Sequence, residues 1–279
     1  MTGKPLPPLS AVLAGRCCLF LSLVLLLPAC TTPSQHLQTQ ATQSGFNHIQ
    51  LNVDGFTLSG FYQFISPGGG LLHVYLEGDG KPWEQGLLPA SDPTTRESVM
   101  LPLMAQDQSA SLYLARPCYN GHAQDPGCSK TLWTGGRYSE TVISSMASAI
   151  KNFCHQNGYN QLILIGHSGG GSLAILLAAH LPQTRALLTL AANYDIDAWA
   201  DYHGYSRLHG SINPASQPNT GIPEWHYLAE QDSNIPVALF FQSLSQRPNS
   251  QVAIIPGMDH NHGWQTHWPG ILSKLAEIR

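Results

Sequence analysis

Ser168 stands between glycines in Gly166-His167-Ser168-Gly169-Gly170, a G-x-S-x-G arrangement. A serine hydroxyl is a weak nucleophile at neutral pH. It needs a base to take its proton and a third group to orient that base. Candidates for both follow downstream. Asp232 lies in Glu230-Gln231-Asp232-Ser233-Asn234-Ile235-Pro236, and His260 in Pro256-Gly257-Met258-Asp259-His260. The chain order Ser, Asp, His suits acyl transfer through a covalent serine intermediate, with the serine raised on a sharp strand-to-helix turn. On such a turn the Gly169 N–H opens a helix and faces the place where an acyl oxygen becomes negative.

Each role has rivals. Asp195 and Asp197 also follow an apolar strand and compete with Asp232 as the acid. Asp259 adjoins His260 and cannot easily face its Nδ1. His262 and His267 lie close to His260, which is preferred as the base because it directly follows the turn after the last strand. Asp259, His260, His262 and His267 also read as metal ligands, but neither a second cluster nor an H-E-x-x-H helix supports that reading, so no metal or cofactor is expected. His180, His203 and His226 read as structural or surface histidines. A second oxyanion donor is expected in Glu77-Gly78-Asp79-Gly80, from the Asp79 backbone N–H, with Gly80 as the alternative. The Asp79 carboxylate should then turn away, since it would oppose the oxyanion.

The elements that must position these groups are legible as patterns. Phe46 to Val53 and Phe56 to Phe64 alternate around Asp54-Gly55, a hairpin signal. Leu71 to Leu76, Ser111 to Ala115, Gln161 to Ile165, Ala186 to Ala192, Trp225 to Ala229 and Gln251 to Ile255 read as strands. Helical patterns run from Ser139 to about Cys154, from Ser172 to His180, from Val237, and from Ile271 to Ile278. Strands alternating with helices predict an α/β fold with helices on both faces of the sheet. Such sheets bind ligands at the carboxyl ends of their strands. Residues 193–224, aromatic but without a period, read as a cap-like insertion over that edge.

Composition narrows the class. The chain has 279 residues, 43% of them hydrophobic, enough for one large core. Only 11% are charged, with a formal net charge of −4 and no basic run, which argues against a nucleic-acid partner. Lys4 and Arg16 precede the apolar run Cys17 to Leu27, too short for a comfortable membrane span, so residues 1–29 read as a signal peptide. Leu27-Pro28-Ala29-Cys30 is similar to a bacterial lipobox, with Cys30 as the lipidated residue, although Pro28 departs from the usual pattern. Cleavage after Ala29 without lipidation, or a retained anchor, are the alternatives. Residues 30–45 then read as a flexible tether before a single domain, 46–279. In an oxidising compartment Cys118 and Cys128 are expected to close their Gly/Pro/Asp loop with a disulfide, and Cys154 to be buried.

Taken with their spacing, Gly166-His167-Ser168-Gly169-Gly170, Asp232-Ser233-Asn234-Ile235-Pro236 and Pro256-Gly257-Met258-Asp259-His260 resemble the α/β-hydrolase family. The resemblance runs from about Phe46 to the end of the chain. It implies an eight-stranded, mostly parallel sheet with an antiparallel N-terminal hairpin, and a cofactor-free hydrolase of acyl bonds. Ala229 stands where the family often has glycine, and Glu77 where the oxyanion loop often begins with histidine. The expected activity is an exported serine esterase acting on a small-molecule acyl substrate and held at a membrane by its lipid anchor. Peptidase, thioesterase or acyltransferase chemistry on the same triad, and a non-catalytic lipoprotein on a hydrolase scaffold, are the alternatives. No stretch specifies an oligomeric state.

Overall fold

The computed structural model describes residues 2–3, 31–63 and 70–275. Its strands are Asn47–Val53 (β1), Phe56–Gln63 (β2), Leu71–Leu76 (β3), Trp83–Glu84 (β4), Leu88–Pro89 (β5), Ser111–Leu114 (β6), Gln161–His167 (β7), Thr184–Leu190 (β8), Glu224–Ala229 (β9) and Ser250–Ile255 (β10). Its α-helices are Pro33–Gln43 (α1), Met100–Met104 (α2), Glu140–Asn157 (α3), Gly169–Ala178 (α4), Ile196–His203 (α5), Val237–Ser245 (α6) and Trp264–Leu275 (α7). All belong to one compact unit that begins at Thr32.

Alternation along the central strands gives the sheet two apolar faces. Leu72, Val74 and Leu76 of β3 and Leu162 and Leu164 of β7 join one core, with α3, α4 and α6. Tyr75, Ile163 and Ile165 join the other, with α1, α2 and α7. Eight strands form the main sheet in the order β1-β2-β6-β3-β7-β8-β9-β10. The β1–β2 hairpin turns at Asp54 and Gly55, both at positive φ (51° and 82°), and β2 pairs antiparallel with β6. From β6 to β10 every pairing is parallel. The carboxyl ends of β3, β6, β7, β9 and β10 therefore share one edge, which gathers residues more than 180 positions apart. This is the α/β sheet expected from the alternation of elements.

Three segments depart from expectation. Residues 33–43, read as part of a flexible tether, form α1. A capping box between Thr32 and Gln35 starts the helix, and Leu37 and Ala41 are fully buried against the second core. Ser34 anchors it further, its hydroxyl donating to Asp92 at 2.6 Å. A Thr/Gln/Ser composition hid two apolar residues spaced i, i+4. The last helix starts at Trp264 rather than Ile271. Burial of Trp264, Trp268, Ile271 and Leu275 outweighs the interior Pro269, which lies on the exposed face. The insertion 193–224 is partly regular: Asp195 caps α5, accepting from the Asp197 and Ala198 N–H groups at 3.1 Å each.

Cys118 and Cys128 are bonded, with Cα atoms 5.6 Å apart. Burial pushes the free Cys154 thiol up to about 12. Cys30 and the apolar run before it lie outside the described residues, as do Phe64 and Ile278. Among the described residues no helix is long and apolar enough to cross a membrane.

Because α1 docks through Leu37, Leu37→Ala should destabilise the protein by about 2–4 kcal/mol in urea unfolding. A free tether would leave the midpoint unmoved.

Candidate active site

The turn after β7 determines where the serine stands. Ser168 adopts φ 53°, ψ −120°, a strained conformation for a residue with a side chain. The chain reverses so tightly that a Cβ on Gly166 would overlap the Gly170 carbonyl, and one on Gly170 would overlap the Leu76 carbonyl at the end of β3. Only glycine at both positions lets α4 start directly over the sheet. Ser168 N–H donates to Leu190 O at 2.9 Å, which continues the β7–β8 ladder up to the serine.

The sheet edge brings Ser168, His260 and Asp232 together. Ser168 Oγ lies 2.9 Å from His260 Nε2, and His260 Nδ1 lies 2.7 Å from Asp232 Oδ2. Asp232 is buried, and its other oxygen accepts from the Asn234 and Ile235 N–H groups at 2.8 and 2.7 Å. A carboxylate only accepts, so Nδ1 carries the ring proton and Nε2 is left bare toward the serine. Asp195 is occupied elsewhere, capping α5 and bonded to Asn213 at 2.7 Å. Asp197 also bonds Asn213, at 3.2 Å. His262 bonds Asp259 at 2.9 Å and is largely exposed.

His167, the variable residue of the motif, was not singled out by the sequence. Its Nε2–H donates to the His260 carbonyl at 2.8 Å, a carbonyl that also accepts from Trp264 Nε1–H at 3.0 Å. Two rigid rings thus hold the backbone of His260. Among the described residues the buried Nδ1 of His167 has no hydrogen-bond partner, with Glu77 Oε1 3.9 Å away. Burial, and then the neighbouring His260, push His167 down to about 3, so it stays neutral.

The loop after β3 lies against the serine: a Cβ on Gly78 would sit 3.4 Å from Ser168 Cβ. Glu77 explains the unusual start of this loop. Its buried carboxyl accepts from the Ser98 hydroxyl and from the Met100 and Gly78 N–H groups, the latter two at 3.2 Å, and ties the loop to the start of α2. Burial raises Glu77 above the usual carboxylate range, despite these donors. The Asp79 side chain turns inward, contrary to expectation. It packs against Gly169, where a Cβ would overlap its Oδ1. It accepts from Arg116 Nη1 and Arg137 Nη1 at 2.7 Å each and from the Tyr138 hydroxyl at 2.7 Å. Burial alone would raise this carboxyl, but Arg116 and Arg137 hold it well below the usual range. Two guanidiniums compensate this carboxylate, so the inward turn does not set an unbalanced negative charge against an oxyanion. The Tyr119 hydroxyl donates to the Asp79 carbonyl at 3.0 Å, which links the disulfide loop to the same point. Arg116 was findable, since it ends the strand next to β3 at the carboxyl edge. Arg137 comes from a connecting loop, and no local pattern marks it.

A cavity of about 1120 Å³ opens over Ser168 and His260. Trp83 and Leu87 of the β4–β5 hairpin line one part of it, and Trp199, Tyr205 and Leu208 of the insertion line another. The insertion thus contributes wall to the cavity, as a cap would.

Comparison with known proteins agrees with this geometry. Residues 117–193, which include the serine turn, match the lipase (class 3) family. A bacterial membrane phospholipase A, described as a virulence factor, superposes with a TM-score of 0.60 at 14% identity, over 96% of this chain and 99% of that one. Est1E from Butyrivibrio proteoclasticus, solved with ferulic acid bound, gives 0.62 at 15% identity over 82% and 98%. An esterase from Pyrococcus furiosus gives 0.62 at 13% identity over 90% and 94%. No curated protein matches the chain. At these identities the likeness establishes the α/β-hydrolase fold.

The depressed groups favour an acid-sensitive fold, and Glu77, raised by burial, opposes it only in part. His167 and His226 are held below the ordinary histidine value, chiefly by burial. The Asp79, Asp107 and Glu224 carboxyls are depressed against the effect of burial: Asp79 by its arginines, Asp107 by His73, and Glu224 by Arg247 and His226. Depressed groups bind fewer protons folded than unfolded, so their stabilisation is complete above the unfolded value and fades as pH falls. Unfolding free energy should decline from about pH 6.5, and more steeply below about pH 4. Urea midpoints measured from pH 8 to 3 test this, and His167→Gln should flatten the upper part of the slope.

Proposed function

We propose that this chain, built on the α/β-hydrolase fold, is a serine hydrolase that cleaves carboxylic esters. The observation that carries this reading is the relay of Ser168 Oγ, His260 and the buried Asp232, with links of 2.9 and 2.7 Å, at the floor of an open cavity. His260 Nε2 takes the Ser168 proton as Oγ adds to the acyl carbon. Asp232 holds the Nδ1 proton and stabilises the imidazolium. The N–H groups of Gly169 and Asp79 receive the oxyanion, backed by Arg116 and Arg137. Collapse of the tetrahedral intermediate passes the proton from Nε2 to the leaving oxygen. Water then repeats the sequence on the acyl-serine.

Ester chemistry is favoured over amide or thioester chemistry by the class 3 lipase match, which spans the nucleophile, and by proteins of the same fold named as an esterase and a phospholipase. The cavity lies at the upper end of ligand-site volumes and mixes aromatic with polar walls, which suits an ester larger than an acetate. The enzyme is exported and tethered through lipidated Cys30. The sequence before Cys30 supports this, and so does the Cys118–Cys128 disulfide, a bond suited to an oxidising compartment.

Ser168→Ala should lower kcat on p-nitrophenyl esters by about 10⁴–10⁶-fold and abolish fluorophosphonate labelling, with the unfolding midpoint intact. Asp232→Asn should lower kcat by about 10⁴-fold through the wrong histidine tautomer. Undiminished turnover by Ser168→Ala would rule the reading out. Separately, Cys30→Ser should move the full-length protein from the membrane fraction to the soluble exported fraction. Retention of that variant in the membrane would rule out the lipid tether.

A further inference from the structure

Asn234, two residues beyond Asp232, is held from several sides. Its backbone N–H donates to Asp232 Oδ1 at 2.8 Å, and its carbonyl accepts from His203 Nε2–H at 2.8 Å. Its side-chain oxygen accepts from Trp199 Nε1–H at 3.2 Å. An indole nitrogen only donates, so the amide atom facing it must be the oxygen. The other amide atom, 3.2 Å from His260 Nε2, is therefore the NH₂ group. The bare Nε2 lone pair thus meets two donors, Ser168 O–H at 2.9 Å and Asn234 N–H. A serine triad needs only the first.

We propose that Asn234 is a further catalytic residue, whose side-chain N–H passes from His260 Nε2 to the leaving-group oxygen during acylation. This rests on the serine-hydrolase reading above. As Ser168 Oγ bonds the acyl carbon, its proton moves to Nε2. Nε2 becomes a donor, and two N–H groups cannot bond each other, so the Asn234 N–H loses its acceptor at that moment. The next oxygen to approach Nε2–H is that of the leaving group. It takes the electron pair of the breaking C–O bond and the proton from Nε2. The freed amide N–H lies beside Nε2, within reach of a second lone pair on that oxygen.

In the resting enzyme this N–H meets a neutral nitrogen already shared with Ser168. In the transition state it meets an oxygen gaining negative charge. Hydrogen bonds to charged acceptors are stronger, and an interaction that strengthens only in the transition state raises the rate. Trp199 and His203 both lie on α5, so the inserted segment holds a catalytic donor in place as well as walling the cavity.

Leaving-group dependence tests the proposal. p-Nitrophenolate departs without a proton or a donor, whereas ethoxide does not. Asn234→Ala should lower kcat/KM on ethyl butyrate by about 100-fold, the scale of a lost transition-state donor. On p-nitrophenyl butyrate it should lower it by less than about threefold. Trp199→Phe keeps a ring in place but frees the amide to rotate, and should show the same selectivity at about fivefold on the ethyl ester. Fluorophosphonate labelling of Ser168, retained in both variants, reports an intact triad and fold, and Trp199→Phe carries the test if Asn234→Ala does not fold. Equal losses on the two esters would mean that Asn234 merely supports the base, and would overturn the proposal. Ethyl ester turnover at the wild-type rate would overturn it too. A wild-type protein that neither labels nor cleaves either ester would bring down the hydrolase reading itself, and the proposal with it.

Discussion

The closeness of two backbones at the end of β7 is the constraint on which the active edge depends. Gly170 rests on the Leu76 carbonyl, and Gly166 on the Gly170 carbonyl, with no room for a methyl group at either contact. That approach sets α4 directly over the sheet and holds Ser168 at positive φ. It also brings the loop after β3 against the serine. A single added carbon would separate helix from strand, and the loop after β3 would lose its register with Ser168. Dense packing on both sides leaves no slack to absorb such a shift: Leu164 and Leu173 in one core and Ile163 and Ile165 in the other are fully buried.

Buried charge then stiffens what the glycines bring together. Arg116 and Arg137 are buried and Asp79 is partly so, and each is matched: two guanidiniums and a tyrosine hydroxyl surround one carboxylate. These groups come from the loop after β3, the end of β6 and the segment before α3. The network therefore fastens three separate pieces of chain at one point beside Gly169. Glu77 does similar work with uncharged partners, Ser98 and two backbone N–H groups. Burial raises its proton affinity against the pull of these donors, and the carboxyl anchors the loop beside the serine.

Legibility in the sequence followed the range of the forces involved. The eight strands of the main sheet, the β1–β2 turn and α3 were readable because apolar alternation, a Gly in left-handed conformation and a Ser cap act within a few residues. Ser168 and the order of Asp232 and His260 were readable for a related reason: parallel strands put their carboxyl ends on one edge whatever the intervening loops do. The α1 helix was not readable, since its apolar signal is two residues and its stability comes from the groove that receives Leu37. Trp264 as a helix start was hidden by Pro269, whose local penalty is outweighed by burying two indoles. The charge of Asp79 alone predicts a side chain turned away from the serine, and the arginines that meet it in space reverse that.

By itself, then, the sequence determined the class of fold, the serine turn, and the places of Asp232 and His260 at later strand ends, because each is written in local pattern or in the direction of strands. Tertiary structure alone decided that Asp195 caps a helix while Asp232 meets His260. It also decided that His167 braces the base, that two distant arginines balance Asp79, and that Asn234 shares the histidine lone pair. Apart from that local cap, those relations join residues 26 to 93 positions apart. They depend on distances of about 3 Å, a hydrogen bond's reach, which sequence spacing does not encode.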